Sequence, residues 1–264
     1  MEIDMTTTTE LTPLLKRLKL GTMLPTLPER IALARREQLD YADFLQILLA
    51  DEVARREHGR MELHLQRAGF DEICRLEDFD WTAQITLDRR VLDAVFSLDF
   101  VVRHEHVLFV GPVGVGKSFL AQALGYTAVR AGYTVRFIRA DDLFRTLAQA
   151  RVDHSIDKVF RSFLSPDLVV LDDLGLRRLT PQQSIDLYEL IIARHRRSSF
   201  VITSNRAVDE WLALFDDPIL GNSALDRLAN ASYQIVIEGS SYRERLSPQH
   251  RSASPALSKE VLTP

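Results

Sequence analysis

Residues 106–124 read HVLFVGPVGVGKSFLAQAL, and the reading of this run decides the fold. His106 to Val110 have the length and apolar character of a buried strand. They lead into Gly111, Pro112, Val113, Gly114, Val115, Gly116, Lys117 and Ser118, which fit the spacing glycine, four residues, glycine, lysine, then serine or threonine. Gly111, Gly114 and Gly116 allow backbone conformations closed to other residues, so successive amides can turn inward around a polyphosphate. Lys117 places a point charge beside the β and γ oxygens, and Ser118 offers a hydroxyl to Mg2+. The helix that follows, opening with Phe119, aims its positive end at the phosphates. A chance glycine-rich turn would lack both the apolar strand before and the amphipathic helix after.

Outward from this loop, apolar strands alternate with helical segments. HVLFV (106–110), TVRFI (134–138), LVVLD (168–172), SFVITS (199–204) and YQIVI (233–237) read as strands, with helices over 117–131, 141–150, 155–164 and 183–196. Such alternation predicts an α/β fold with a parallel sheet covered by helices on both faces. The run DLVVLDDLG (167–175) ends four apolar residues in two carboxylates. Ligands of open parallel sheets sit at the carboxyl ends of strands, so Asp172 is expected beside the phosphate loop, where it can hold Mg2+, and Asp173 where it can orient an attacking water. The strand FVITSN ends at Asn205, whose amide can reach the γ-phosphate or that water, although TSNR also reads as an ordinary turn.

Before the loop the pattern is helical. Residues 11–69 carry Leu14, Leu15, Leu18 and Leu20, then Phe44, Ile47, Leu48, Val53, Leu63 and Leu65 mostly at helical spacing, and predict a small all-helical domain. Residues 70–104 read as a connector with aromatic anchors followed by a first helix, and 105–246 as the nucleotide-binding core. Residues 1–10 and the Ser- and Pro-rich 247–264 read as a disordered lead-in and tail. A composition of 46% hydrophobic and 27% charged residues is that of a globular protein, and a net charge of −4 excludes a general polycation. One cysteine, Cys74, excludes an internal disulfide and a multi-cysteine zinc site. No apolar run approaches the roughly 20 residues of a membrane span, and the start lacks the form of a signal peptide, so the expected compartment is the cytoplasm.

Together these residues resemble the AAA+ ATPases and, within them, the IstB-like family, ATP-binding helpers of bacterial insertion sequences related to DnaC helicase loaders and DnaA initiators. Besides the phosphate loop, LVVLDDLG and VITSNR, the resemblance is carried by LKLGTMLPTL, FLQILLADEVARRE, LEDFDW, WLALFDDPIL, ALDRL and EGSSYR. It implies a P-loop AAA+ domain with five strands in the order 5-1-4-3-2 behind an N-terminal helical domain. It further implies ATP with Mg2+, homo-oligomers assembled on double-stranded DNA, and a transposase partner. Asp173 stands where many relatives have Glu, one methylene longer, so hydrolysis is expected to be slow and stimulated by DNA or a partner. Arg227 in ALDRL falls at the family's arginine-finger position and Arg243 in EGSSYR at a later motif near the nucleotide, with Arg206 a rival. The family often has Pro-Gly-Thr-Gly-Lys-Thr in its loop, where this chain has Val113 to Ser118, and His-His after LDRL, where ANAS stands here.

Relatives of the initiator type face a DNA channel with the region corresponding to 141–164. Arg145, Arg151, Lys158 and Arg161 in that region are the candidate phosphate contacts, with Arg55, Arg56 and Arg60 a second set. No base-reading motif is present, so contacts would go mostly to phosphates and depend strongly on salt. Two other functions use the same loop. A replicative helicase loader shares the motor, and a small-molecule kinase would show no response to DNA.

Overall fold

The computed structural model describes residues 5–82 and 85–242. Arg243 and the expected tail 247–264 lie outside the described residues. The chain divides into two compact units, Met1–Leu63 and His64–Pro264, and the division falls within the helix Tyr41–Ala68.

In the first unit α1 (Met5–Arg17) and α2 (Leu27–Glu37) precede the long α3 (Tyr41–Ala68). Met23, Leu27 and Leu48 form its core, with Leu11, Leu15, Leu20, Ile31 and Phe44 packed around them. Polar order comes from α3. Asp51 accepts from Arg30 at 2.6 Å, and the buried Glu52 accepts from Arg55, Arg56 and Thr22. Arg56 also donates to the carbonyl of Lys19. The Arg55 bond above all holds the Glu52 carboxyl down to about 2. Arg55 and Arg56 therefore have an internal task in this unit, which weakens them as DNA contacts.

The second unit holds a five-stranded parallel sheet: β1 (His106–Val110), β2 (Val135–Arg139), β3 (Leu168–Leu174), β4 (Ser199–Ser204) and β5 (Ser232–Val236). The order is β5-β1-β4-β3-β2, as the family resemblance implies, and each expected strand lies within one residue of its observed start. Leu168 to Leu171 are fully buried, as expected for a strand covered on both faces. Leu108, Val110, Val169, Leu171, Phe200 and Ile202 pack with α7 (Ala140–Val152), α9 (Pro181–Arg194) and α10 (Pro218–Ala229). Alternate residues face α6 (Lys117–Arg130). That helix is not the amphipathic one the sequence suggested. It is buried nearly all round because the connector covers its outer side, with the Phe70 ring against Gly125. Asp88 caps α4 (Arg89–Phe96), α5 (Asp99–Val102) leads into β1, and α8 (Ile156–Leu164) follows α7. Among the described residues no helix is long and apolar enough to cross a membrane.

The amino edge of the sheet is organised by two buried polar side chains. Arg194, with no exposed surface, donates to the carbonyls of Phe163, Pro166, Asp167 and Ser199. His106 accepts the Phe200 amide at Nδ1, 3.1 Å, and burial, aided by the charge of Arg194, pushes its pKa down to about 4. A histidine kept neutral in the fold contributes stability fully present above its unfolded value near 6.5, and that stability is lost as pH falls to about 4. The shift corresponds to roughly 3 kcal/mol. Glu52 acts in a lower window, with stability present above 4.5 and lost as pH falls through about 2. Both tryptophans, Trp81 and Trp211, belong to the second unit, so their fluorescence reports its stability alone. Urea midpoints should fall between pH 6.5 and 4, and His106→Asn, which keeps an acceptor but does not titrate, should flatten that decline. An equal decline in the variant would remove His106 as its cause.

Candidate nucleotide site

The phosphate loop joins β1 to α6 at the carboxyl edge of the sheet, and Gly111 donates its amide to the carbonyl of Ser204 at the end of β4. Lys117 is buried, and its Nζ donates to the loop carbonyls of Gly111 (2.8 Å) and Pro112 (2.6 Å). The lysine thus already lies inside its own loop, where an entering phosphate would exchange neutral acceptors for charged ones. Gly114 (φ +84°) and Gly116 (φ +94°) are closely covered from outside. A Cβ on Gly114 would lie 2.1 Å from Ser241 Oγ, and one on Gly116 would lie 2.7 Å from the Phe79 ring. Only glycine combines these left-handed angles with such close approach.

Two segments do the covering. Phe79 from the connector lies between Trp81 (centroids 4.6 Å apart) and Phe119 (5.5 Å) in tilted ring contacts, with Arg89 over the Trp81 ring. The segment after β5 crosses the loop as a strap. Ile237 donates its amide to Val110 and Tyr242 donates its own to Gly114, while Glu238–Gly239 pairs with Ile85–Thr86 of the connector. Pro112, Val113 and Val115 lie in the loop between β1 and α6, and Phe119 belongs to the aromatic cluster. The EGSSYR segment is seen here through Tyr242.

The acid pair is a β-bulge. Leu171 pairs with Ile202 and Leu174 with Ser204, so Asp172 and Asp173 together oppose one residue, Thr203. The Thr203 hydroxyl serves both. It donates to Asp172 Oδ1 at 2.6 Å and accepts the amide of Asp173 at 2.8 Å. Asp172 is buried, which raises its carboxyl pKa against the lowering effect of Thr203 and of the nearby Ser118 hydroxyl. Ser118 and Asp172 thus lie near each other beside the phosphate loop. A buried carboxylate beside a hydroxyl is a donor set suited to a hard cation. Among the described residues no three His, Cys, Asp or Glu side chains cluster, so other ligands would be phosphate and water. Asp173 has φ +58°, a left-handed conformation that Asp tolerates better than most residues. Arg139, at the end of β2 and paired with Asp71 at 2.6 Å, brings a positive charge toward both acids.

Asn205 directly follows Ser204, whose carbonyl accepts the Gly111 amide, so its backbone lies at the carboxyl end of β4 on the phosphate-loop edge of the sheet. Arg206 is engaged within its own subunit. Its Nε donates to the carbonyl of Gly175 and its carbonyl accepts from Trp211. Arg227 is not brought to the loop. It lies on α10 near His195, at the C-terminus of α9 just before β4, and donates to Ser223 of its own helix. That is the amino edge of the sheet, opposite the phosphate loop.

Of the candidate DNA contacts, Arg145 is largely exposed beside Asp142, Lys158 is exposed, and Arg161 is exposed with Nε on the carbonyl of Asp157. Arg151 is engaged within the fold. Both of its Nη atoms bind Asp186, which is 2% exposed, so its charge fastens α7 to α9. Sequence reading missed Thr203, Arg139 and Phe79. Strand register alone could have found Thr203, one step beyond the Leu171 and Ile202 pair.

The family profile described as IstB-like ATP binding protein matches residues 13–250. A protein described as ATP-binding in an insertion sequence of Mycobacterium tuberculosis is 40% identical over 89% of this chain and 94% of its own length. The corresponding protein of insertion sequence IS21 from Pseudomonas aeruginosa is 34% identical over 89% and 88%. Among solved structures, a replication initiator DnaA bound to AMPPCP and single-stranded DNA superposes with a TM-score of 0.54 at 20% identity, over 65% of this chain and 52% of that one. DnaI gives 0.52 at 20% identity, over 62% and 90%. These likenesses show the AAA+ P-loop fold.

Proposed function

The chain belongs to the IstB-like ATP-binding protein family, and on that premise we propose that it is an ATP-switched helper of DNA transposition. In this reading it binds and slowly hydrolyses ATP, assembles as a homo-oligomer on duplex DNA in the cytoplasm, and recruits or stimulates the transposase of its insertion sequence. The observation that carries it is the meeting of Ser118, Asp172 and Thr203 beside the phosphate loop, inside a chain that aligns with insertion-sequence proteins over nearly their whole length. The likeness to DnaI covers 62% of this chain, whereas the insertion-sequence relatives cover 89%. That favours the helper over the loader.

Lys117, the loop amides and the start of α6 would hold the triphosphate, and Ser118 with Asp172 would hold Mg2+. A bound Mg2+ supplies charge neutralisation at the β and γ oxygens. Asp173 would accept a proton from, and orient, the attacking water, and Asn205 at the end of β4 would contact the γ-phosphate or that water. Arg227 lies at the opposite edge of its own sheet, so a role at phosphate is open to it only at a neighbouring subunit's site, where an arginine offsets transition-state charge. The site would then be complete only between subunits.

Light scattering with sedimentation of the full chain tests this reading. ATP and duplex DNA together should produce an oligomer that neither produces alone, and Arg227→Ala should still bind ATP yet lose most of its turnover. A monomer under every condition would overturn the assembly.

A further inference from the structure

Among the described residues, Arg139, Arg145, Arg151 and Arg177 of the second unit each have a carboxylate beside them. Arg67 and Arg136 do not. Among the described residues neither has an ion-pair partner, and both line one cavity of about 470 Å³ in the second unit. The cavity sits at the amino end of β2, the edge of the sheet away from the phosphate loop. His64, Thr134, Ser162 and Ser165 are also in its wall, and no acidic side chain is.

The donors are prepared to different degrees. Arg136 gives one Nη to the carbonyl of Arg67 (3.3 Å), which leaves its other guanidinium hydrogens for a ligand. His64 Nδ1 is buried without a hydrogen-bond partner. Thr134 gives its hydroxyl to Asp167, whose charge is partly offset by the buried Arg194 behind it. Ser162 donates to the carbonyl of Val159 and keeps acceptor capacity. Arg136 also lies over the Phe163 ring, 5.9 Å from its centroid, and two arginines without a carboxylate partner lining one hollow suit a phosphate, the anion whose geometry matches their planar forks.

α8 says which phosphate. Lys158, Arg161, Ser162 and Ser165 follow one another at steps of three, one and three residues, so they share one face of α8. The exposed cations of that helix and the wall of the cavity are thus one continuous surface. A free phosphate needs only the cavity, whereas a phosphodiester chain uses the whole stripe. We infer that the cavity bounded by Arg67 and Arg136 seats a backbone phosphate of bound duplex DNA, extending a track that begins at Lys158 and Arg161. The inference rests on the DNA-binding reading above.

The test is fluorescence anisotropy of a labelled duplex with the full chain and ATP, over about 50–200 mM salt. Removing one charge from the DNA backbone interface flattens the plot of log K against log salt by about 0.9. The double variant Arg67→Gln, Arg136→Gln should lower the slope by about 1–2 and weaken binding at each salt concentration. Arg67→Lys, Arg136→Lys keeps the charges and should keep the slope. A fluorescent ATP analogue should bind every variant alike, which confirms that the sheet is intact. An unchanged slope in the glutamine variant overturns the inference while leaving the DNA-binding reading standing. No duplex binding by the parent overturns both. Inorganic phosphate shifting the His64 ring resonances, with the DNA slope unchanged, would assign the cavity to a small anion and also overturn it.

Discussion

Asp173→Asn is expected to slow DNA-stimulated ATP turnover by about 10²–10⁴-fold, the range over which a positioned general base acts, with nucleotide affinity nearly unchanged. The substitution isolates the charge. Asn accepts the left-handed backbone at this position as readily as Asp does, so the bulge is kept. From the sequence, an Asp where many relatives have Glu suggested a carboxylate one methylene short. The bulge and φ of +58° add a second determinant, the direction in which the side chain leaves its base. Lengthening the side chain is therefore not a repair. Asp173→Glu should be slower than the parent, since the longer residue suits this backbone less well and its carboxylate would overshoot. Thr203→Val extends the test. It removes the hydroxyl that donates to Asp172 and accepts from Asp173, and should raise the Mg2+ concentration needed for half-maximal turnover. Equal turnover in Asp173→Asn and the parent would show that Asp173 is not the catalytic acid.

The largest expected effect on stability belongs to Arg194. Arg194→Leu should destabilise the second unit by about 3–5 kcal/mol, the usual result of leaving buried polar partners without their charge. Four carbonyls converge on the guanidinium, from the end of α8, the turn before β3 and the start of β4. Leucine fills part of the volume but donates nothing, and each buried carbonyl left unsatisfied costs about 1–3 kcal/mol. Arg194→Lys keeps the charge but not the fork, and should recover only part of the loss. The measurement is the urea midpoint from tryptophan fluorescence, with the slope m checked for constancy. A midpoint within error of the parent's would mean that water replaces the guanidinium.

The sheet was legible because its signals are local. Each strand is a short apolar run with a turn signal at its end, and the glycine spacing of the loop has one chemical use. Asp172 was legible for the same reason, since strand direction alone sends it to the loop. What could not be read is what depends on partners distant in sequence. Arg151 looked like an exposed helix cation until its carboxylate proved to be Asp186, 35 residues on. Thr203 looked like an ordinary strand threonine until the register set it against two acids. Gly114 and Gly116 fit the loop motif by their neighbours, yet the atoms that forbid a side chain there come from Ser241 and Phe79.

The strap also imposes a schedule. About 126 residues separate Gly116 from Tyr242, and a ribosome adding about 5–20 residues per second takes roughly 6–25 s to make them. During that interval the nascent chain carries every residue of the phosphate loop but not the segment that closes over it. All five strands precede Tyr242 in the chain. The loop therefore acquires its final form only after the whole sheet has been synthesised.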